Sequence, residues 1–257
     1  SPGGLLSDAE IFGTLDKDRN AMFLECINMV LDIWAGEAPY NLKGDYFEVS
    51  TERTMLPDIG QGSIIKPYQY PHPPIVGTVV APYSKGITAM AERGWEPISA
   101  NFLLPKWVKT HWPNYAEGCD LGGRTADPAN WRIAKNICVA DDLKTAKEYA
   151  RGANSPYVYY YKQLLTKLND GGRINLFKED QEMPDDEVTL DYVLDRLVIH
   201  GDASSVADQI LAFREEVGDF GQLVYAGHDW TDYDLGRRSM ILTAEKVMPI
   251  INDAIKG

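Results

Sequence analysis

Histidine and cysteine are scarce in this sequence, with four His and three Cys in 257 residues. Cys26, Cys119 and Cys138 lie far apart, and an odd, unclustered set argues against a disulfide framework or a cysteine zinc site. Each reads as a small buried apolar residue of a protein kept in a reducing cytoplasm. The His, Asp and Glu residues show no metal-ligand spacing, and no Gly-x-Ser-x-Gly elbow occurs, so metal and serine-hydrolase chemistry have no support. Basic residues are also short: 25 Lys and Arg stand against 38 Asp and Glu, a net charge of −13. That field repels phosphate backbones and anionic lipid, so neither nucleic acid nor a membrane surface is an expected partner. No run approaches the roughly 18 apolar residues of a spanning helix. The opening Ser1-Pro2-Gly3-Gly4 has no initiator Met and none of the basic and apolar regions of a signal peptide.

What is present is a globular composition, 44% hydrophobic, in a length that suits a single domain over residues 1–257. Met22, Phe23, Ile27, Val30, Leu31 and Trp34 return at helical spacing, so Lys17–Ala35 reads as a helix stopped by Gly36. From Glu37 to Pro74 the pattern dissolves into Gly, Pro, Tyr and Thr, an irregular excursion of the kind that covers a site or an interface.

After that the grammar is strand then helix. The expected strands are Pro74–Val80, Trp95–Ala100, Trp131–Val139 and Gln222–Gly227. The expected helices are Ser84–Arg93, Pro105–Cys119, Leu143–Leu168, Asp202–Val217 and Leu235–Ile255. Gly171–Pro184 reads as polar loop, and the acidic stretch from Glu179 to Glu187 as a solvated, mobile lid or loop. Alternation of this kind implies parallel pairing with right-handed crossovers. A complete eight-unit barrel takes about 250 residues. Here the two excursions leave about four strands, half that number, so the expected fold class is α/β, a (β/α)8 barrel type of which this chain carries the C-terminal half plus insertions.

The wording of these pieces resembles the bacterial-luciferase-like flavin-dependent monooxygenases, especially the limonene and alkanal monooxygenase-like subgroup. Pro2-Gly3-Gly4-Leu5-Leu6-Ser7-Asp8 with Phe12-Gly13 is similar to the segment after that family's fourth barrel strand. Arg19 to Trp34, then Tyr40 and Gly44-Asp45-Tyr46-Phe47, resembles its helix and following turn. Pro73–Val76 through Ala81-Pro82-Tyr83-Ser84 and Ala91–Gly94 resembles its fifth strand and flavin-phosphate loop, and Gly201–Ala207 its recurrent helix start. The resemblance covers essentially the whole chain but about the C-terminal two-thirds of the family's length. It implies a chain that begins inside a longer, N-terminally extended protein.

The segment Ala81-Pro82-Tyr83-Ser84-Lys85-Gly86 runs from a strand's carboxyl end into a helix. Free amides, a Ser hydroxyl and a Lys ammonium there suit an anion, and the resemblance makes it the FMN phosphate site. The same residues also read as an ordinary turn with Ser84 as N-cap. Asp202 opens another helix and reads as its cap, since its charge repels a phosphate. His228-Asp229-Trp230 follows the last strand, so His228 is the candidate proton-transfer residue, while Trp230 and Asn101, just after another strand, are candidate substrate contacts. A polar cluster in that place can equally cap the next helix. His72, His111 and His200 read as structural, packing or surface residues, and Tyr157, Tyr159, Tyr160 and Tyr161 mostly as packing or a subunit contact, with the lining of an apolar substrate channel as the alternative.

The resemblance implies a monooxygenase that takes reduced FMN from a separate flavin reductase and inserts one oxygen atom of O2 into a small apolar substrate. A deazaflavin (F420)-dependent hydride-transfer enzyme on the same scaffold and a non-catalytic flavin-binding or interaction protein are the alternatives. A carbohydrate-active barrel would need two facing carboxylates, and Glu96 stands at the wrong end of its strand. The open edges of a half barrel favour a homodimer.

Overall fold

The computed structural model describes residues 2–256; Ser1 and Gly257, the ends of the expected 1–257 domain, lie outside the described residues. The chain forms two compact units, Ser1–Ile75 and Val76–Gly257.

In the first unit, α1 spans Leu6–Ile11 and α2 spans Arg19–Ala35. Asp18 caps α2 by accepting the N–H groups of Asn20 and Ala21 at 3.1 and 3.0 Å, the usual use of a short carboxylate at a helix start. Met29 and Ile33 are the buried residues of α2, whereas the six expected core positions are half-buried. The irregular excursion contains a hairpin, β1 (Asn41–Lys43) against β2 (Glu48–Ser50), with Asn41 opposite Ser50. Glu25 organises its turn, accepting the N–H groups of Asp45, Tyr46 and Phe47 at 2.8, 2.9 and 2.7 Å. Lys66 donates to the carbonyls of Ile33 and Gly36, placing a cation at the C-terminus of α2 where the helix dipole favours one. His72 donates from Nδ1 to the Pro73 carbonyl at 2.8 Å and faces Trp34, a packing role.

The second unit is strand–helix alternation around a parallel sheet. Its elements run β3 (Val76–Val79), α3 (Lys85–Glu92), β4 (Glu96–Ser99), α4 (Pro105–Lys109), α5 (His111–Leu121), β5 (Arg132–Val139), α6 (Leu143–Arg151) and α7 (Pro156–Asp170). Then come α8 (Leu190–Leu197), β6 (Val198–Gly201), α9 (Ala203–Val217), β7 (Gln222–Tyr225), α10 (Tyr233–Leu242) and α11 (Met248–Ala254). β3 pairs β4, β4 pairs β5, and β5 pairs both β7 through Arg132–Lys135 and β6 through Asn136–Val139, all parallel. The four expected strands are therefore present in neighbouring order, with β6 added along the far half of β5.

The alternation along β5 sets the two faces. Ile133, Ile137 and Val139 pack against Phe213, Val206 and Ile210 of α9, while Arg132, Ala134, Asn136 and Cys138 point to the opposite face. The α9 stripe of Val206, Ile210, Phe213 and Val217 is buried as its periodicity predicts. Asp202 caps α9 through the Ser205 N–H at 2.9 Å.

Three expected long helices are interrupted. Pro105–Cys119 breaks at Thr110, whose hydroxyl turns back to the Trp107 carbonyl at 2.6 Å, a local bond that competes with helix continuation. Leu143–Leu168 breaks at Gly152–Ser155, where Ser155 caps a new helix and Pro156 occupies its first position. The last helix runs on through a π-helical turn at Thr243–Val247. That wide turn precedes Pro249, which has no N–H to give back to the preceding turn. Gly171–Pro184, expected as polar loop, buries Ile174, Leu176 and Phe177 in the cluster formed by α7 and α8. Lys178 and Asp185 pair at 2.6 Å in the acidic stretch. α8 and β6 had no counterpart in the sequence reading. Among the described residues no helix is long and apolar enough to cross a membrane.

Candidate functional site

Parallel strands all present their carboxyl ends on one side, and the polar side chains of this unit gather there. Asn101 follows β4, Asn136 sits within β5 and His228 follows β7. Asn136 is the hub: its Oδ1 accepts from Asn101 Nδ2 at 3.1 Å and from His228 Nε2 at 2.8 Å. Its Nδ2 donates to the Tyr161 hydroxyl. Tyr160 closes the group, with its hydroxyl 3.3 Å from the Asn101 amide and its ring 4.5 Å from the His228 ring. Tyr157 stands edge-on to the same imidazole at 5.4 Å and donates to the Ile137 carbonyl at 2.7 Å.

These contacts fix the chemistry of His228. A carboxamide oxygen only accepts, so Nε2 carries the proton and Nδ1 keeps a lone pair. Burial pushes the imidazole pKa below its ordinary value, against the opposing pull of Asp229, so the neutral form prevails at neutral pH. Burial likewise raises the hydroxyl pKa values of Tyr160 and Tyr161, which remain donors.

A cleft of about 700 Å3 opens beside this cluster. Pro156, Tyr159 and Tyr160 give it apolar walls, and Gln163, His228 and Asp229 give it polar ones. Its size suits a small organic molecule.

Among the sequence-predicted residues, the structure joins Asn101 to His228 through Asn136. Trp230 lies outside the hydrogen-bonded cluster but beside it, sharing a narrow gap with Tyr157 and His228, its ring over Gly236 and edge-on to Tyr233 at 5.3 Å. The segment Ala81–Gly86 connects β3 to α3. Tyr83 there has φ of 52°, the left-handed region, and its side chain is exposed. Ser84 has the backbone of an N-cap, but its hydroxyl makes no cap bond. Lys85 Nζ lies 3.1 Å from Glu117 Oε2, which Thr88 also engages at 3.1 Å.

Sequence reading missed Asn136, Lys135 and the role of His111. A polar pair at the centre of an otherwise alternating strand was the available signal for the first two. His111, expected as surface or packing, is fully buried, with Nδ1 2.8 Å from Ser99 Oγ and Nε2 3.0 Å from the Ala81 carbonyl. Burial lowers its pKa to about 4, opposed by the bond to Ala81. Lys135 is buried, donates to the Leu103 carbonyl at 3.1 Å and lies 4.4 Å from the Phe213 ring centre. Its pKa falls to about 7 through desolvation.

Residues 2–219 match the luciferase-like monooxygenase family. The chain belongs to that family. It is similar to 4-hydroxyprotoasukamycin monooxygenase of Streptomyces nodosus subsp. asukaensis, 25% identical over 99% of this chain and 65% of the relative. It is also similar to 3,6-diketocamphane 1,6-monooxygenase of Pseudomonas putida, 24% identical over 86% of this chain and 58% of the relative. The luciferase-like chain thus spans less than two-thirds of the length of these curated relatives. A solved structure described as the oxygenating constituent of 3,6-diketocamphane monooxygenase of Pseudomonas putida, a type II Baeyer-Villiger monooxygenase in complex with FMN, superposes with a TM-score of 0.80 at 22% identity. That superposition covers 97% of this chain and 69% of the other. The fold of this luciferase-like chain is accordingly part of a (β/α)8 barrel, and the polar cluster lies at the barrel end where catalytic residues collect.

Proposed function

We propose that this chain acts as a flavin-dependent monooxygenase, using reduced FMN from a separate flavin reductase to place one oxygen atom of O2 on a small apolar substrate. The observation that carries the reading is the convergence of Asn101, just after β4, Asn136, within β5, and His228, just after β7, beside the cleft of about 700 Å3.

The residues at the β3–α3 turn fit an FMN phosphate. The Ser84 hydroxyl is free of any cap bond, and the first amides of α3 have no partner within their own helix. Ser84 and the backbone of Lys85 and Gly86 would hold the phosphate, with Ala81, Pro82 and Tyr83 shaping the turn. Lys85 brings its ammonium paired with Glu117. Bound there, reduced FMN supplies the activation of O2. The protein's share is position, apolar contact and proton handling. Tyr159, Tyr160 and Pro156 give the substrate apolar surface to pack against. Asn101 and the Tyr160 hydroxyl orient a polar group of the substrate, and Trp230 braces the loop that carries His228. His228 accepts or returns a proton at Nδ1 while Asn136 holds Nε2. Cys119 and Cys138 are buried as expected and Cys26 is exposed, and all three are free thiols that suit a reducing cytoplasm; the outer edges of β3 and β7, unpaired among the described residues, suit a homodimer.

The test is one turnover with reduced FMN under 18O2, using a cyclic ketone and a monoterpene as probes. One labelled oxygen per product molecule is expected, and His228→Ala should lower the rate by about a hundredfold or more. Unlabelled, reduced or oxidised product would favour deazaflavin-type hydride transfer. Flavin binding with no product from any probe would favour the non-catalytic reading.

A further inference from the structure

We propose that Thr110, His111 and Asn114 form a clamp that sets the backbone of the Ala81–Ser84 turn and thereby gives this protein its preference for a phosphorylated flavin. The inference rests on the reading of that turn as the phosphate seat and adds residues that neither sequence nor family resemblance singled out for it.

The three side chains come from one corner, where α4 ends and α5 begins, and they grip the turn at three places. His111 Nε2 donates to the Ala81 carbonyl at 3.0 Å. Thr110 Oγ1 accepts the Tyr83 N–H at 2.9 Å while donating to the Trp107 carbonyl at 2.6 Å. Asn114 Nδ2 donates to the Ser84 carbonyl at 3.0 Å. Tyr83 between these grips is held in the left-handed backbone region, a conformation unfavourable for a non-glycine residue that persists where its surroundings fix it.

The His111 grip has a defined direction. A Trp indole N–H can only donate and a peptide carbonyl can only accept. Trp131 Nε1 lies 3.0 Å from Ser99 Oγ, so Ser99 accepts there and its own proton goes to His111 Nδ1 at 2.8 Å. His111 then donates from Nε2 to Ala81. The three bonds suit the neutral, Nε2-protonated imidazole, which burial favours at neutral pH. Ser99, His111 and Trp131 are each at most 1% exposed, so water offers no substitute partner. The clamp spends the carbonyls of Ala81 and Ser84 and the N–H of Tyr83, and it leaves the Ser84 hydroxyl and the leading amides of α3 for an anion.

The experiment compares binding of FMN with binding of riboflavin, which lacks the phosphate, to the wild-type chain and to Thr110→Val, Asn114→Ala, Thr110→Ser and Ser84→Ala variants. Amide exchange at Tyr83 and melting temperature are followed in parallel. The clamp predicts that Thr110→Val and Asn114→Ala weaken FMN by about tenfold, the worth of a hydrogen bond or so. Riboflavin binding should be unchanged, Tyr83 exchange faster in Thr110→Val, and both effects reversed in Thr110→Ser. Parallel loss of both flavins with a falling melting temperature would overturn the clamp in favour of plain structural support. An unchanged FMN preference in the clamp variants, with its loss in Ser84→Ala, would overturn the clamp and leave the phosphate seat standing. A wild-type chain with no preference for FMN, or a Ser84→Ala variant that keeps it, would overturn the seat and the clamp with it.

Discussion

Burial lowers the pKa of two bases in the second unit, Lys135 and His111, and makes stability rise with pH in two different windows. Burial lowers the Lys135 pKa to about 7, from an ordinary value of 10.5. The unfolded chain therefore binds more protons between those limits, and stability rises with pH across them and is lowest below pH 7. Replacing Lys135 with Met removes that cost, so Lys135→Met should raise stability at pH 7 and flatten the rise above it. The gain is bounded by on the order of 4 kcal/mol and reduced by the lost bond to Leu103. Urea midpoints between pH 6 and 9 read this directly. Burial lowers the His111 pKa to about 4, from an ordinary value of 6.5. Its contribution is present above pH 6.5 and is lost as pH falls toward 4, so wild-type protein should weaken in that window while His111→Gln shows a shallower fall. His228, also held below its ordinary value, should leave oxygenation insensitive to pH above 6.5, with the acid limb of the rate profile below that point.

At the scale of elements, the strands were legible because β-branched runs alternate with helical stripes, and a capping residue, Asp202, marked a helix start. The interruptions at Thr110 and Gly152–Ser155 were harder to read. Each depends on a side chain that prefers a local or tertiary bond to continued helix, and hydrophobic spacing does not record that choice. α8 and β6 were missed because β6 is four residues long and forms by pairing with the far half of β5, a non-local event. The contact between α3 and α5 has a sharp requirement at Gly118, where a Cβ would meet the Thr88 carbonyl oxygen at 2.3 Å and the Ala91 side chain at 2.6 Å. Both helices would have to part, so Gly118→Ala should cost about 1–3 kcal/mol, seen as a lower urea midpoint with an unchanged slope. The same variant should loosen the turn between β3 and α3, since α5 carries His111 and Asn114.

At the scale of the whole molecule, the site was partly legible. His228 and Asn101 could be named because residues just after parallel strands fall at one end of the sheet by topology alone. Asn136, which joins them, lies inside a strand whose two neighbours supply the partners, and only the folded pairing brings those partners together. The central claim is that the strand ends of this luciferase-like chain hold reduced FMN beside the cleft. An anaerobic titration of the purified chain with reduced FMN, followed by flavin absorbance and fluorescence, tests it most directly. The account predicts saturable one-to-one binding that Ser84→Ala weakens and that His228→Ala leaves intact; absence of saturable binding, or binding indifferent to Ser84, would contradict it.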